Sequence, residues 1–173
     1  RAGFTFGFDI GASGGAVAQL RASPGASALD ASSLYLGLLT SGSLFGAVVG
    51  TALSFLAADR LGRRGELLLG AALYLVGTTV TCFAPPATDQ MLSIVFAGRA
   101  VYGVGIAFSM HAAPVYIAET STPSSRGLLV SLKEGFIVLG ILLGFAAAAL
   151  SVSLKLSHDL AWRVIWAPPA LSA

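Results

Sequence analysis

Long uncharged and largely apolar runs dominate the chain, and short polar connections separate them. Residues 34–58, 67–88 and 135–154 carry no charged side chain, while 2–20 and 90–118 each carry one. About 20 apolar residues in a helix cross the hydrocarbon core of a bilayer. No segment alternates apolar and polar positions over about ten residues, as the strands of a membrane barrel do. The pattern predicts an all-α membrane protein with five spans and the start of a sixth, near 2–20, 34–58, 67–88, 90–118, 128–154 and 162–173.

The composition fits a membrane protein and excludes other classes. Hydrophobic residues make up 55% of the chain and charged residues 10%, whereas soluble domains carry about 25% charged residues. The net charge of +2 is too small and too dispersed to indicate a nucleic-acid partner. The single cysteine, Cys82, excludes a disulfide framework and a multi-cysteine metal site within the chain. We therefore expect the lipid bilayer as a partner, and no nucleic acid, metal or cofactor.

Basic residues in the connections indicate how the chain is oriented in the membrane. Cytoplasmic connections carry an excess of lysine and arginine. On this ground we expect the connection around residues 60–64 in the cytoplasm or its topological equivalent. The basic residues on that side are Arg60, Arg63, Arg64, Arg126 and Lys133, and those on the opposite side are Arg21, Lys155 and Arg163.

Asp9 and Arg99 are the two charges inside the predicted spans. An ionised side chain near mid-bilayer is costly and normally has a partner. Asp9 lies 12 residues before Arg21, about 18 Å along a helix from that end. Arg99 lies 10 residues after Asp89, about 15 Å from the same side. The similar depths predict an ion pair between the first and fourth spans, which is either a static structural contact or a site that takes up a proton when the contact or its access to water changes.

Three segments in chain order resemble motifs of the sugar porters of the major facilitator superfamily. Residues 57–64 (Ala-Ala-Asp-Arg-Leu-Gly-Arg-Arg) resemble the signature between the second and third helices of these proteins. Gly98-Arg99, followed by Gly103 and Gly105, resembles the start of the fourth helix. Residues 114–119 (Pro-Val-Tyr-Ile-Ala-Glu), then Pro123 and Arg126-Gly127, resemble the signature at the cytoplasmic end of that helix, and Trp162-Arg163 resembles the pair before helix six.

The resemblance implies a twelve-helix fold of two six-helix halves around a central sugar site, with alternating access. Residues 1–173 would form a partial domain, the N-terminal half. Asp9 stands where proton-coupled sugar porters carry an acidic residue, Arg99 matches its partner, and Phe6 matches an aromatic residue that lines the sugar cavity. The expected ligands are therefore a monosaccharide and a proton. A proton-independent facilitator, or a truncated half-transporter without activity of its own, remains the alternative.

Charges at the cytoplasmic end could form a latch that breaks when the cavity opens inward. Single surface ion pairs contribute about 0–1 kcal/mol, so only a network would bias a two-state equilibrium. The alternative is that these charges only set topology. The residues in question are Asp59, Arg60, Gly62, Arg63, Arg64, Glu119 and Arg126.

The chain also departs from the family pattern. Phe55 stands where the loop signature normally begins with glycine. Glu134 and Ile141 occupy the positions of two glutamines that face the sugar in the fifth helix of many sugar porters. Glu134 could accept sugar hydroxyls, pair with Lys133 or Arg126, or take up a proton, whereas the side chain of Ile141 forms no hydrogen bond. We therefore expect both positions in the substrate cavity but do not assign the sugar.

A membrane enzyme is the first rival interpretation, and the sequence does not support it. The two histidines, His111 and His158, are far apart and have no companions at metal-ligand spacing. His111 is expected to pack in the bundle or line a cavity. The pair Gly103-x-Gly105 lacks the preceding strand and the third glycine of a dinucleotide-binding loop.

The ends of the chain bear on its partners. It starts at Arg1 without a methionine and stops inside an apolar run, so we expect a fragment whose partner is the missing C-terminal half. Within the family, residues 7–12, 131–134 and 137–140 resemble plant xylose-proton-symporter-like and vacuolar or plastidic glucose transporters. This resemblance suggests the plastid envelope or the vacuolar membrane, with the plasma membrane as an alternative.

Overall fold

Helices account for nearly all of the described chain. The computed structural model describes residues 2–23, 33–85 and 90–167, and this part contains five α-helices and no strand. Asp89, the reference point for the depth of Arg99, and the predicted span ends 86–88 and 168–173 lie outside the described residues. The predicted all-α class is confirmed. The helices are α1 (Ala2–Arg21), α2 (Ser33–Cys82), α3 (Met91–Thr120), α4 (Pro123–Ser153) and α5 (His158–Trp166).

Three of these helices, α2, α3 and α4, are long and apolar enough to cross a membrane. Helix α2 has 50 residues, about 75 Å if it were straight, which is more than twice the thickness of the hydrocarbon core. It bends at Gly62, where φ is 66° and ψ is 166°. The two arms, residues 33–61 and 63–82, correspond to the second and third predicted spans.

The connection expected between those two spans is almost entirely helical. Apart from Gly62, residues 59–66 continue the helix on both sides of the bend. Arginine, leucine and glutamate fill most of this segment and are good helix formers, so the chain reverses at one residue and needs no longer loop. Glycine alone adopts this backbone conformation readily.

Replacing Gly62 by alanine is expected to lower stability by about 1–2 kcal/mol, because a Cβ is strained at this positive φ. The loss comes from the backbone alone, since no neighbouring atom lies within 4 Å of an added Cβ. Thermal unfolding of the purified protein in lipid nanodiscs measures it. Gly127→Ala is the matched control, because Gly127 is helical and equally unobstructed, and it should be neutral or slightly stabilising. Equal effects of the two substitutions would contradict the assignment of strain to Gly62.

Small residues allow the helices to pack closely in two groups. Helix α1 packs on α4 and α5, and both arms of α2 pack on α3. In the first group, Gly7 lies against the main chain of Ile137, and a Cβ on Gly140 would lie 2.7 Å from the main-chain nitrogen of Phe8. In the second group, Gly46 lies against the carbonyl of Ala100. Such close backbone approach is typical of membrane helix pairs.

Large apolar side chains cover much of the outer surface. Val48 and Phe55 on α2 are each 73% exposed, and Leu142 on α4 is 63% exposed. In a soluble domain, patches of this extent would be unusual. On a membrane-spanning bundle they face lipid or other parts of the transmembrane protein, as the apolar runs predict.

Candidate functional site

Asp9 and Arg99 lie in direct contact at the junction of the two helix groups. Helix α1 supplies Asp9 and α3 supplies Arg99, and the two residues are 4% and 3% exposed. Arg99 Nη1 donates to Asp9 Oδ1 at 2.7 Å, and Nη2 donates to Oδ2 at 3.2 Å. This two-point geometry is the strongest arrangement of a guanidinium and a carboxylate. The structure thus brings the two predicted residues together; their part in proton coupling stays a prediction.

Two serines add hydrogen bonds to the pair, whereas the buried Arg99 Nε has no hydrogen-bond partner within the described part of the chain. Arg99 Nη2 also donates to Ser13 Oγ at 2.8 Å and to Ser43 Oγ at 3.1 Å. Ser43 Oγ in turn donates to Asp9 Oδ2 at 2.9 Å, and Ser13 Oγ donates to the main-chain oxygen of Asp9 at 2.6 Å. Side chains from α1, α2 and α3 therefore surround one buried ion pair. The sequence analysis did not single out the serines, because serine is common in membrane helices. Ser13 lies four residues after Asp9 and so on the same face of α1, a signal that could have found it, whereas Ser43 carries no such signal.

The indole ring of Trp166 covers the guanidinium of Arg99. The Arg99 Cζ lies 4.8 Å from the ring centroid, a distance at which a cation is attracted to the face of an aromatic ring. Helix α5 supplies Trp166, so this contact joins a second helix of the first group to the ion pair. A small cavity beside the pair is lined by Asp9, Thr78, Thr81, Arg99, Tyr102 and Trp166.

Arg163 explains how α5 is held in place. Its guanidinium donates to the carbonyl oxygens of Cys82 and Ala84, where the second arm of α2 ends. It also stacks on the ring of Trp162, with 4.5 Å between Cζ and the ring centroid. Cations at a helix C-terminus satisfy carbonyls that lack partners within the helix. The Trp-Arg pair thus fastens the helix that carries Trp166.

The three residues predicted for the substrate cavity lie in different surroundings. Phe6 is half-buried and packs on the cluster of Tyr74 and Tyr102. Ile141 is half-buried, and its main chain lies against Gly11 where α1 and α4 cross. Glu134 is exposed and pairs with its neighbour Lys133, with 3.2 Å between Nζ and Oε1. The structure therefore does not join Glu134 to either of the other two, and their role in sugar binding stays a prediction.

Of the predicted latch residues, the structure joins Arg63 and Glu119. Arg63 Nε lies 3.3 Å from Glu119 Oε1, which links the second arm of α2 to the end of α3. Arg126, in the first turn of α4, donates to the main-chain oxygen of Ser121 at 3.5 Å. The remaining members are exposed, and within the described part of the chain their side chains form no ion pair or hydrogen bond; they are Asp59, Arg60 and Arg64. The network is thus an ion pair with free charges around it, and its part in gating stays a prediction.

Sequence reasoning missed Glu66, which contacts Arg63 from within the bundle. Its side chain is fully buried, accepts a hydrogen bond from Ser54 and lies 3.1 Å from His111 Nδ1. His111 thus packs within the bundle, as expected, but beside a carboxylate. Glu66 stands directly before the uncharged run 67–88, so counting uncharged stretches assigned it to the connection. The signal that could have found it is the helical register of residues 63–82, which turns Glu66 inward.

Comparisons with known proteins give the family. The family model described as "Sugar (and other) transporter" matches residues 1–173. D-xylose-proton symporter-like 2 of Arabidopsis thaliana is 46% identical over 168 residues, 95% of this chain and 31% of the relative. D-xylose-proton symporter-like 3, chloroplastic, of the same plant is 48% identical over 152 residues, 87% of this chain and 26% of the relative. The chain therefore spans less than a third of these relatives.

Solved structures share the fold. The xylose transporter XylE from E. coli in a partially occluded inward-open conformation superposes with a TM-score of 0.84 at 25% identity, over 98% of this chain and 44% of the solved chain. The proton:xylose symporter XylE bound to 6-bromo-6-deoxy-D-glucose gives 0.88 at 24% identity, over 99% and 41%, and shows the fold. The predicted major facilitator fold is confirmed, at the coverage expected for a six-helix half. Since the family model matches every residue and the Arabidopsis relatives are nearly half identical, the chain belongs to the family of sugar (and other) transporters.

Proposed function

We propose that this chain is the proton-linked N-terminal part of a transporter that couples the uptake of a monosaccharide to that of a proton. The observation that carries the proposal is the buried pair of Asp9 and Arg99 between the two helix groups. A carboxylate at this depth is costly, and carboxylates that are retained there commonly pair with a cation and take part in proton or ion transport. The names of the Arabidopsis relatives, which are D-xylose-proton symporter-like proteins, support both the sugar and the proton.

The geometry offers a physical route to coupling. While Asp9 is ionised, its contact with Arg99 holds α1 against α3. A proton on Asp9 removes that attraction, and Ser13 and Ser43 remain as hydrogen-bond partners of Arg99. The link between the two helix groups is then weaker at this point, although Arg163 still joins α5 to the end of α2, and a change in the relative arrangement of the groups costs less. A proton that binds one arrangement better than the other shifts the equilibrium between them, as alternating access requires.

The proposal extends to the rest of the molecule and to its membrane. A central sugar site needs the second six-helix half as a partner, and the exposed apolar side chains of this half support a location in a bilayer. We place the transporter in the plastid envelope or the vacuolar membrane. The chloroplastic designation of one relative supports the plastid. A fluorescent fusion of the full-length protein, imaged with envelope, tonoplast and plasma-membrane markers, distinguishes these membranes.

Transport by the full-length protein in proteoliposomes tests the proposed function. An inward proton gradient should accelerate uptake of D-xylose or D-glucose, and adding sugar without a gradient should alkalinise the external medium. Uptake that is equally fast with and without the gradient would contradict symport and favour a facilitator. If a panel that also includes myo-inositol shows no uptake of any sugar, the transport proposal itself is contradicted.

A further inference from the structure

A second buried carboxylate lies at the end of the bundle that carries the Gly62 bend. The side chain of Glu66 is 0% exposed, and three segments of the chain meet at it. From the first arm of α2, Ser54 Oγ donates to Oε1 at 2.9 Å. From α3, His111 Nδ1 lies 3.1 Å from the same oxygen. From the second arm of α2, Arg63 Nη1 lies 3.8 Å from Oε2, which accepts no hydrogen bond within the described part of the chain.

A fully buried carboxylate needs a nearby cation, because removal from water strongly disfavours an unpaired charge. Two side chains near Glu66 can supply this positive charge, and neither does so under all conditions. Arg63 is shared with Glu119, which it approaches more closely, at 3.3 Å. His111 is a cation only when it is protonated, and histidine changes charge between about pH 5 and 8. Its side chain is 30% exposed, unlike the fully buried Glu66 beside it.

The other charges at this end of the bundle do not compete for Glu66, and on α4 Lys133 pairs with its neighbour Glu134. Asp59, Arg60 and Arg64 are exposed and form no ion pair or hydrogen bond with other described residues, and Arg126 on α4 donates to a main-chain oxygen instead. Phe55 lies beside the imidazole, with 5.8 Å between the ring centroids, and brings no charge. Arg63 and His111 are therefore the two described groups that can neutralise the charge of Glu66.

We propose that Glu66 and His111 form a second proton-binding site. Its protonation determines whether Arg63 pairs with Glu66 or with Glu119. Nδ1–H of the neutral imidazole donates to Glu66, and Arg63 must balance the carboxylate. A proton taken up from solution converts the imidazole into a cation, so Glu66 is neutralised locally. Arg63 is then released to Glu119, and the link between α2 and α3 at this end tightens as the pH falls. This site is separate from Asp9 and Arg99 and binds a proton whether or not sugar is transported.

The stability of arginine variants at two pH values tests this site. Arg63→Gln should lower the midpoint of thermal unfolding in nanodiscs more at pH 8 than at pH 6, by about 3 °C or more, because at pH 8 Glu66 depends on Arg63. Arg64→Gln is the matched control: the neighbouring arginine is exposed and forms no ion pair or hydrogen bond with other described residues, so its small effect should be the same at both pH values. In a Glu66→Gln background, the pH dependence of Arg63→Gln should disappear.

A variant of His111 makes the test independent of how well Glu66→Gln folds. With His111→Gln, Arg63→Gln should be equally damaging at pH 6 and pH 8. The imidazole ¹⁵N signals that disappear in His111→Gln belong to His111, and they should change over the same pH interval as the effect of Arg63→Gln. The proposal is overturned if Arg63→Gln has the same effect at both pH values in the native background, or if its pH dependence survives in His111→Gln. Because these measurements read stability, a failure of sugar transport would not alter their meaning.

Discussion

Replacement of Asp9 by asparagine is expected to abolish proton-driven sugar accumulation while exchange of sugar across the membrane continues. Asparagine has nearly the same shape and can still accept a hydrogen bond from Arg99, but it cannot gain or lose a proton in the transport cycle. The coupling step is therefore lost, and the sugar pathway is retained. In proteoliposomes, accumulation driven by a pH gradient should fall to the level of the gradient-free control, and counterflow of labelled sugar should persist.

A second variant separates coupling from folding. Asp9→Asn leaves Arg99 buried without a counter-ion, and loss of one partner of a buried pair costs about 3–5 kcal/mol. The double substitution Asp9→Asn with Arg99→Gln removes both charges, so much of the stability should return while accumulation stays absent. Thermal unfolding of both variants measures the first part and uptake the second. Proton-driven accumulation by either variant would show that the coupling proton binds elsewhere.

Charge placement made the central part of the site predictable. A membrane leaves few alternatives for an ionised side chain, so the depths of Asp9 and Arg99, inferred from sequence spacing, were enough to pair them. The motif around residues 57–64 likewise predicted the chain reversal, since the bend occurs at its glycine, Gly62. What the sequence did not predict is the continuation of helix up to that glycine, because a cluster of arginines reads equally well as a connection.

Contacts that depend on helix rotation were beyond the sequence. Ser43 contacts Asp9, and Ser13 contacts Arg99, because of how α1 and α2 turn against α3, and serine does not mark a buried site by itself. Glu66 was missed for a different reason. A charged residue close to three arginines is expected to be part of the exposed connection. The rotation of the second arm of α2 about its axis determines that Glu66 faces inward. This rotation follows from the packing of Gly70 and Gly77 against α3.

Packing of α1 against α4 leads to a second large expected loss of stability. Replacing Gly7 by leucine is expected to destabilise the protein by at least about 3 kcal/mol. Gly7 is buried, and a Cβ there would overlap the main-chain carbonyl of Ile137. A flexible side chain can move away, but a helix backbone moves only with its neighbours, so α1 would have to separate from α4. Because α1 carries Asp9, the ion pair with Arg99 should be displaced as well.

Gly14→Leu is the matched control, since it adds the same side chain to the same helix. Gly14 is exposed, and no atom lies within 4 Å of an added Cβ. Leucine is a better helix former than glycine by up to about 1 kcal/mol, so this variant should be as stable as the native protein or slightly more so. Thermal unfolding in nanodiscs and the yield of monodisperse protein compare the two. Comparable losses of stability for both variants would mean that the loss comes from adding a leucine anywhere on α1. A loss confined to Gly7→Leu would show that it comes from the backbone contact of α1 with α4, which positions Asp9.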